Sequence, residues 1–276
     1  SQYGRSKPYM MSPGNHENTA CGTEHPYQEY KRRAANMPAS GPESAGMYYA
    51  FDHAGARFIT LSAEEGALAA TDTTEMKWLK GELERAYARK KAGTLAWIVT
   101  MVHYMTVPHG YCTATEIGSC CVEGCSQTDV SKYVEDMFVM NQVDVHLTGH
   151  QHLYERTSPM YRFKDEPPVT DTRDNSYFLN PAYPIYVVNG CPGNIEVHHG
   201  FMEPRPKWSV GARSSQFGYA TIDYSDTSFN VSYLDATNDH VIDHFSIEKS
   251  PGKSAVEVRA HHSSNGKSAV DQVEIF

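Results

Sequence analysis

No run of apolar residues in this chain approaches about 18, so no segment reads as a membrane-spanning helix. Basic residues are not in excess either: 24 Lys and Arg stand against 33 Asp and Glu, a net charge of −9. That balance speaks against a nucleic-acid partner and against adhesion to an anionic membrane. An anionic substrate would therefore need local attraction, from a metal or a few cations. No repeat period and no low-complexity tract is visible. The first residues show neither an initiator Met nor a charged-then-apolar leader, so localisation is not readable from that end. The length of 276 residues suits one large domain or two small ones.

Six cysteines are present, at 21, 112, 120, 121, 125 and 191. Four of them crowd into "CTATEIGSCCVEGC", and an even, clustered count predicts disulfides formed in an oxidising compartment. A zinc knuckle would need C-x2-C pairs at both ends, which this spacing does not supply. The sequon Asn230-Val231-Ser232 points the same way, to a secreted, vacuolar or lysosomal glycoprotein.

Hydrophobic patterning places alternating elements over residues 56–149. "ARFITLS" predicts a strand after a turn at Gly55. "DTTEMKWLKGELERAYARKK" predicts a helix, capped by Asp72 with Glu75 in a capping box and carrying a stripe of Met76, Leu79, Leu83 and Tyr87. "TLAWIVTMVHY" is a continuous apolar run, the pattern of a strand buried on both faces. A long loop holds the cysteines. "TDVSKYVEDMFVMNQ" predicts a second helix and "VDVHLTG" a third strand, so the segment layers as α/β. "PIYVVNG" is a further buried strand. "FGYATIDY", "SFNVSYLD" and "HVIDHFSIE" alternate in polarity and predict an antiparallel meander over 217–248. Residues 250–276 read as a polar, loose extension to a domain spanning 1–249.

Three short segments carry the chemistry: "SPGNHE", "TMVHY" and "GHQH". His103 and His150 each stand just beyond the carboxyl end of a buried strand, the edge where open α/β sheets build sites. His150 and His152 are two apart, so on extended backbone both imidazoles point to one side. Gly149 lets the backbone turn or approach closely. Two imidazoles so placed can each serve one of a pair of metals, with His103 and the amide oxygen of Asn15 completing a shell of mixed N and O donors. His16 would stand beside the metals and donate to a phosphate oxygen or a leaving group. His146 faces away from Val143, Val145 and Leu147 and reads as structural. Any one of these motifs alone is weak. Their order is the signal.

The ordered set "GNHE", "VH" and "GHQHLYERT" resembles the calcineurin-like metallophosphoesterases, specifically the purple acid phosphatases. "PIYVVNGCPGN" and "FMEPRPKWSVGARSSQFGYATI" are similar to that family's later segments, so the resemblance runs from about Pro8 to Glu248. It implies a four-layer α/β/β/α sandwich with mixed sheets and an acid phosphatase acting on phosphate monoesters, either small molecules or phosphoproteins. It implies a binuclear centre of Fe(III) with Zn, Fe or Mn. Asn15, His103 and His150 would hold the divalent ion and His152 the ferric ion. His16 would be the histidine beside the substrate phosphate, His109 a second catalytic histidine, and Glu17 a support for His16 or Asn15.

The family's two earlier motifs, which supply a bridging Asp and a tyrosinate, are absent: no Asp precedes Asp52. The chain is therefore expected to be the C-terminal part of a longer protein, with a donor set short of anionic ligands and so of metal affinity. The alternatives are a metal-free pseudophosphatase or binding module, and a phosphodiesterase or protein phosphatase of the same superfamily.

Overall fold

The computed structural model describes residues 9–17, 27–38, 44–64, 68, 70–104, 129–162, 175–193, 201 and 203–250, and the backbone of 271–275; for 129–132 it describes backbone alone. Sheet formation starts at the hairpin of β1 (Tyr49–His53) and β2 (Ala56–Thr60), joined by Ala54 and Gly55, both at positive φ. A two-residue turn of this hand matches the strand twist, and Gly55 enters it without steric cost. Sequence patterning does not reveal β1, because "YAFDH" neither alternates cleanly nor forms an apolar run; its burial fades from Tyr49 to an exposed His53.

Next come α2 (Thr74–Lys91), β3 (Trp97–Val102), α3 (Asp129–Met140) and β4 (Val145–Thr148), preceded by the short helix α1 (Gln28–Arg33). β5 (Tyr154–Thr157), β6 (Tyr177–Leu179), β7 (Ile185–Asn189) and β8 (Ser209–Ser214) follow, then β9 (Gly218–Tyr224), β10 (Ser228–Asp235), β11 (Val241–Glu248) and β12 (Asp271–Ile275). The first sheet runs β1-β2-β3-β4-β7-β5-β8, and the second runs β12-β9-β10-β11-β6. β2, β3, β4 and β7 are parallel neighbours, while β5 is antiparallel to both β7 and β8. The architecture is an α/β sandwich of two mixed sheets, with α2 and α3 on the outer face of the first. Among the described residues no helix covers the outer face of the second sheet, so the fourth layer of the expected sandwich is not seen there.

Period-two alternation explains why β3 reads as a continuous apolar run. Trp97 and Val99 face the second sheet, whereas Ile98 and Val102 face the helices. Both faces are dry, so both need apolar side chains, and each large one contributes roughly 1.5–3 kcal/mol on burial. Ile222, Phe229, Val231, Phe245 and Ile247 fill the other half of the inter-sheet core. The helix layer is built by Met76, Leu79 and Leu83 with Val134, Met137 and Phe138. Ala86 takes the inward place expected for Tyr87, whose ring instead lies under the Lys91 ammonium.

The N-cap of α2 is Thr73, not Asp72: its hydroxyl accepts from the Met76 amide at 3.2 Å. Glu75 does not close a capping box. It turns inward and accepts from the Ser62 amide at 2.7 Å, and its second oxygen has no hydrogen-bond partner among the described residues. Burial pushes its carboxyl up to about 8, against a lowering contribution from the Ser62 amide. The folded pKa lies above the unfolded one, so this group stabilises the fold below about pH 4.5, and that contribution is lost as pH rises toward 8. Glu75→Gln should flatten the decline in thermal midpoint between those limits. Unchanged slopes for the two proteins would refute the assignment.

The end of the chain departs from the expected loose extension. β12 pairs antiparallel with β9, so residues 271–275 belong to the second sheet. Cys191 is a thiol, buried and 4.0 Å from the Ser214 carbonyl. Burial pushes it up to about 11, with a hydrogen bond to Tyr233 acting the other way. The other five cysteines, and the disulfides expected of them, lie outside the described residues.

Candidate active site

The carboxyl ends of β3 and β4 deliver His103 and Gly149-His150 to one edge of the first sheet. The amide of Gly149 donates to the His103 carbonyl at 3.0 Å, which ties the two strand exits together. Residues 9–17 lie over the same edge. The Ser12 hydroxyl donates to the Leu61 carbonyl just past β2, and both Tyr30 and Tyr49 donate their hydroxyls to the Met11 carbonyl, at 3.1 and 2.6 Å. Burial pushes the Tyr49 hydroxyl up to about 12 and that of Tyr30 well above its usual range, so both stay protonated donors. The segment ends in a single turn, Asn15–Glu17.

Within that turn Glu17 accepts from the Gly14 amide at 2.8 Å. Its carboxylate thus braces the backbone turn that presents Asn15 and His16. Asn15 faces His103: the imidazole Nε2 donates to the amide oxygen at 2.8 Å. A Cβ on Gly14 would stand 2.9 Å from three atoms of the His103 ring, so a side chain there would displace the imidazole. The His103 and His150 rings are 5.2 Å apart, nearly perpendicular. His16 is exposed, and Asn15, His103, His150 and His152 are half-buried.

His103 is held neutral, pushed down to about 3 by burial first and then by the neighbouring His150, His16 and His152. The His103 and His150 rings pack against each other, and a neutral imidazole is the form that binds a metal. Asn15 Oδ1 and His103 Nε2 also suit a shared ion, because two donors at about 2.1 Å and right angles lie about 3 Å apart. The donor set is a neutral one, with two of its donors spaced as a shared ion requires. It does not supply a carboxylate: among the described residues no group of three or more His, Cys, Asp or Glu is placed to hold an ion. His109 lies outside the described residues.

His150 sits in the left-handed region at φ 63. A non-glycine residue there carries a cost on the order of 1 kcal/mol or more, which the surrounding packing must offset. Part of that support is Gly190, at the carboxyl end of β7. Its amide donates to the Leu153 carbonyl at 3.1 Å, and a Cβ on it would fall 1.7 Å from the Gln151 carbonyl oxygen. Gly190→Ala should cost about 1–3 kcal/mol through overpacking and displace the loop that carries His150 and His152. Thermal unfolding together with a crystal structure of the variant would check it, and an unmoved loop would refute it.

His146 is buried and bonded through Nδ1 to the Thr100 hydroxyl at 2.7 Å, packed between Phe138 and Tyr186. Burial pushes it down to about 3. It is a helix-facing core residue and not part of the site. The residues just after His152 anchor the loop, a role that sequence motifs did not reveal. Tyr154 and Arg156 on β5 reach across the sandwich to Asp243 on β11, at 2.9 and 2.5 Å. Glu155 points the other way, accepting from Ser209 and Arg213. All four residues of β5 are buried, and buried charges demand partners, a demand that becomes visible only with the fold.

A family profile described as calcineurin-like phosphoesterase matches residues 2–154, and one described as iron/zinc purple acid phosphatase-like protein C matches residues 183–244. The chain is 27% identical over 267 residues to acid phosphatase type 7 of Danio rerio, covering 88% of this chain and 54% of that protein. It is 29% identical over 229 residues to acid phosphatase type 7 of Homo sapiens, covering 79% and 47%. The structure of purple acid phosphatase PPD1 from yellow lupin seeds superposes with a TM-score of 0.68 at 21% identity, over 88% of this chain and 41% of that one. The chain spans about half the length of the curated relatives it matches.

Proposed function

From the premise that the chain belongs to the calcineurin-like phosphoesterase family, with a purple acid phosphatase-like C-terminal region, we propose that the protein it represents hydrolyses phosphate monoesters at acidic pH. The observation that carries this reading is the convergence of Asn15, His103 and His150, with an amide oxygen and an imidazole nitrogen 2.8 Å apart at the carboxyl edge of the first sheet. Asn15, His103 and His150 would hold a divalent ion (Zn, Fe or Mn), and His152 would contribute to an Fe(III) site. Metals so held would supply Lewis-acid polarisation of the phosphoryl group and a water acidified toward neutral pH.

The chain's own residues do the rest. In its protonated form, exposed His16 donates to a phosphoryl oxygen and steadies charge developing there. His109 takes the part of a second histidine at the leaving group. Glu17, by holding the Gly14 amide, fixes the turn on which Asn15 and His16 are carried. The substrate is a small phosphate monoester or a phosphoprotein, and neither nucleic acid nor membrane is a partner. The sequon at Asn230 and the cysteine cluster support a secreted or vacuolar protein.

A metal-free binding module is the second reading, favoured by the absence of a carboxylate from the described donor set. One experiment separates them. The full-length protein, metal-loaded, is assayed with p-nitrophenyl phosphate and with its bis-ester, and its metal content is measured. Metal-dependent monoester hydrolysis with close to two ions per chain is expected. Preference for the diester would reassign the protein to phosphodiesterases. No bound metal and no turnover would favour the binding module.

A further inference from the structure

Tyr104 follows His103 directly and is buried at the carboxyl end of β3. Its ring lies 5.2 Å from the His103 ring at 72° and 4.5 Å from the His150 ring at 53°. With the imidazoles 5.2 Å from each other, the three rings close a triangle, each packed against the other two. Tilted and edge-on contacts at these distances are attractive for aromatic rings.

Two further observations give this triangle a directional effect. The His103 ring also abuts Gly14, where even a Cβ would clash, so the imidazole is crowded by backbone as well as by aromatic rings, with Nε2 aimed at Asn15. His150 holds its left-handed backbone within a very tight loop, in which the Gln151 amide donates to the Gly149 carbonyl at 2.7 Å. The Tyr104 ring packs directly on the His150 imidazole that this loop presents. Without that ring, the His103 imidazole would gain room to rotate away from Asn15 and the His150 imidazole would lose the face it packs on.

We propose that Tyr104 is a positioning residue for His103 and His150: its ring holds His150 in the left-handed backbone and keeps the His103 imidazole aimed at Asn15. The inference rests on the reading of Asn15, His103 and His150 as metal donors. The ring supplies the effect, so phenylalanine replaces it and alanine does not.

The test compares the full chain carrying Tyr104, Y104F and Y104A, with and without Co2+. In the metal-free proteins, the imidazole 15N–1H correlations of His103 and His150 are expected to match between Tyr104 and Y104F and to shift or broaden in Y104A. Titration with Co2+, followed by its visible absorption, is expected to show about a tenfold or greater loss of affinity in Y104A and none in Y104F, as for other groups that orient a ligand. Unchanged imidazole signals in Y104A would overturn the proposal. So would unchanged Co2+ affinity with a lowered thermal midpoint, which is the signature of a packing role alone. Failure of the unaltered chain to bind Co2+ would sink the donor reading, and the metal-free imidazole signals would still decide the positioning role.

Discussion

His150→Ala in the full-length protein is expected to lower turnover of a phosphate monoester by more than about 100-fold, because removing even a partner that merely orients a ligand costs 10–100-fold. The fold should survive. His150 lies at the sheet edge, half-buried, past the last paired residue of β4, and its imidazole packs on the His103 and Tyr104 rings. Alanine also disfavours the left-handed backbone at this position, so the loop itself is expected to shift in the variant. Comparison with His150→Asn, which accepts that backbone more readily, separates the backbone effect from loss of the imidazole. His152→Ala is expected to behave alike. The measurement is kcat and bound metal together with the thermal midpoint, and wild-type kcat in either alanine variant would refute the assignment. A parallel fall in kcat and in metal content, with the unfolding transition preserved, is the signature of a lost ligand.

Asp243→Ala carries the largest expected effect on stability. Asp243 lies on β11 of the second sheet, yet its carboxylate accepts from the Tyr154 hydroxyl at 2.9 Å and from Arg156 at 2.5 and 3.3 Å, both on β5 of the first sheet. It also accepts from the Ala212 amide at 3.2 Å. Arg156 is almost wholly buried, with its guanidinium over the Phe245 ring and a third bond to the Asn175 carbonyl. Gly211 has no side chain because one would strike that guanidinium. Removing the carboxylate leaves a buried cation without its counter-charge, a loss of about 3–5 kcal/mol. For a protein of this size that is a fall of roughly 6–20 °C in the thermal midpoint. A double replacement, Arg156→Met with Asp243→Leu, should recover much of it, because the unpaired charge and not the missing pair is what costs. A midpoint within about 2 °C of wild type in Asp243→Ala, roughly the effect of an ordinary surface change, would refute the role given to the pair.

The two expectations meet on one stretch of chain. His150 and His152 precede β5 directly, and β5 is anchored by Tyr154 and Arg156 to the opposite sheet. The loop bearing the imidazoles is therefore fixed at both ends, by β4 in the parallel sheet and by a buried ion pair spanning the sandwich.

Much of this was legible in the sequence, for physical reasons that differ by element. β3, β4 and β7 announce themselves because a strand covered on both faces must be apolar throughout, and β9, β10 and β11 because a strand with one wet face must alternate. The placement of His103 and His150 follows from chain order alone, since parallel strands put their carboxyl ends on one edge. Contacts between residues distant in sequence were not legible. No local pattern says that Glu75 abandons a helix cap for the Ser62 amide, that Tyr30 and Tyr49 hold the Met11 carbonyl, or that Asp243 answers Arg156 across two sheets. Nor does periodicity show that residues 271–275 return to pair with β9, because a polar edge strand gains its stability from ladder hydrogen bonds that its own composition does not reveal. Residue type and chain order were enough to say which side chains could do chemistry and on which edge they stand. What holds them there emerges only in three dimensions, because that support comes from packing and buried polar pairs made when distant segments meet.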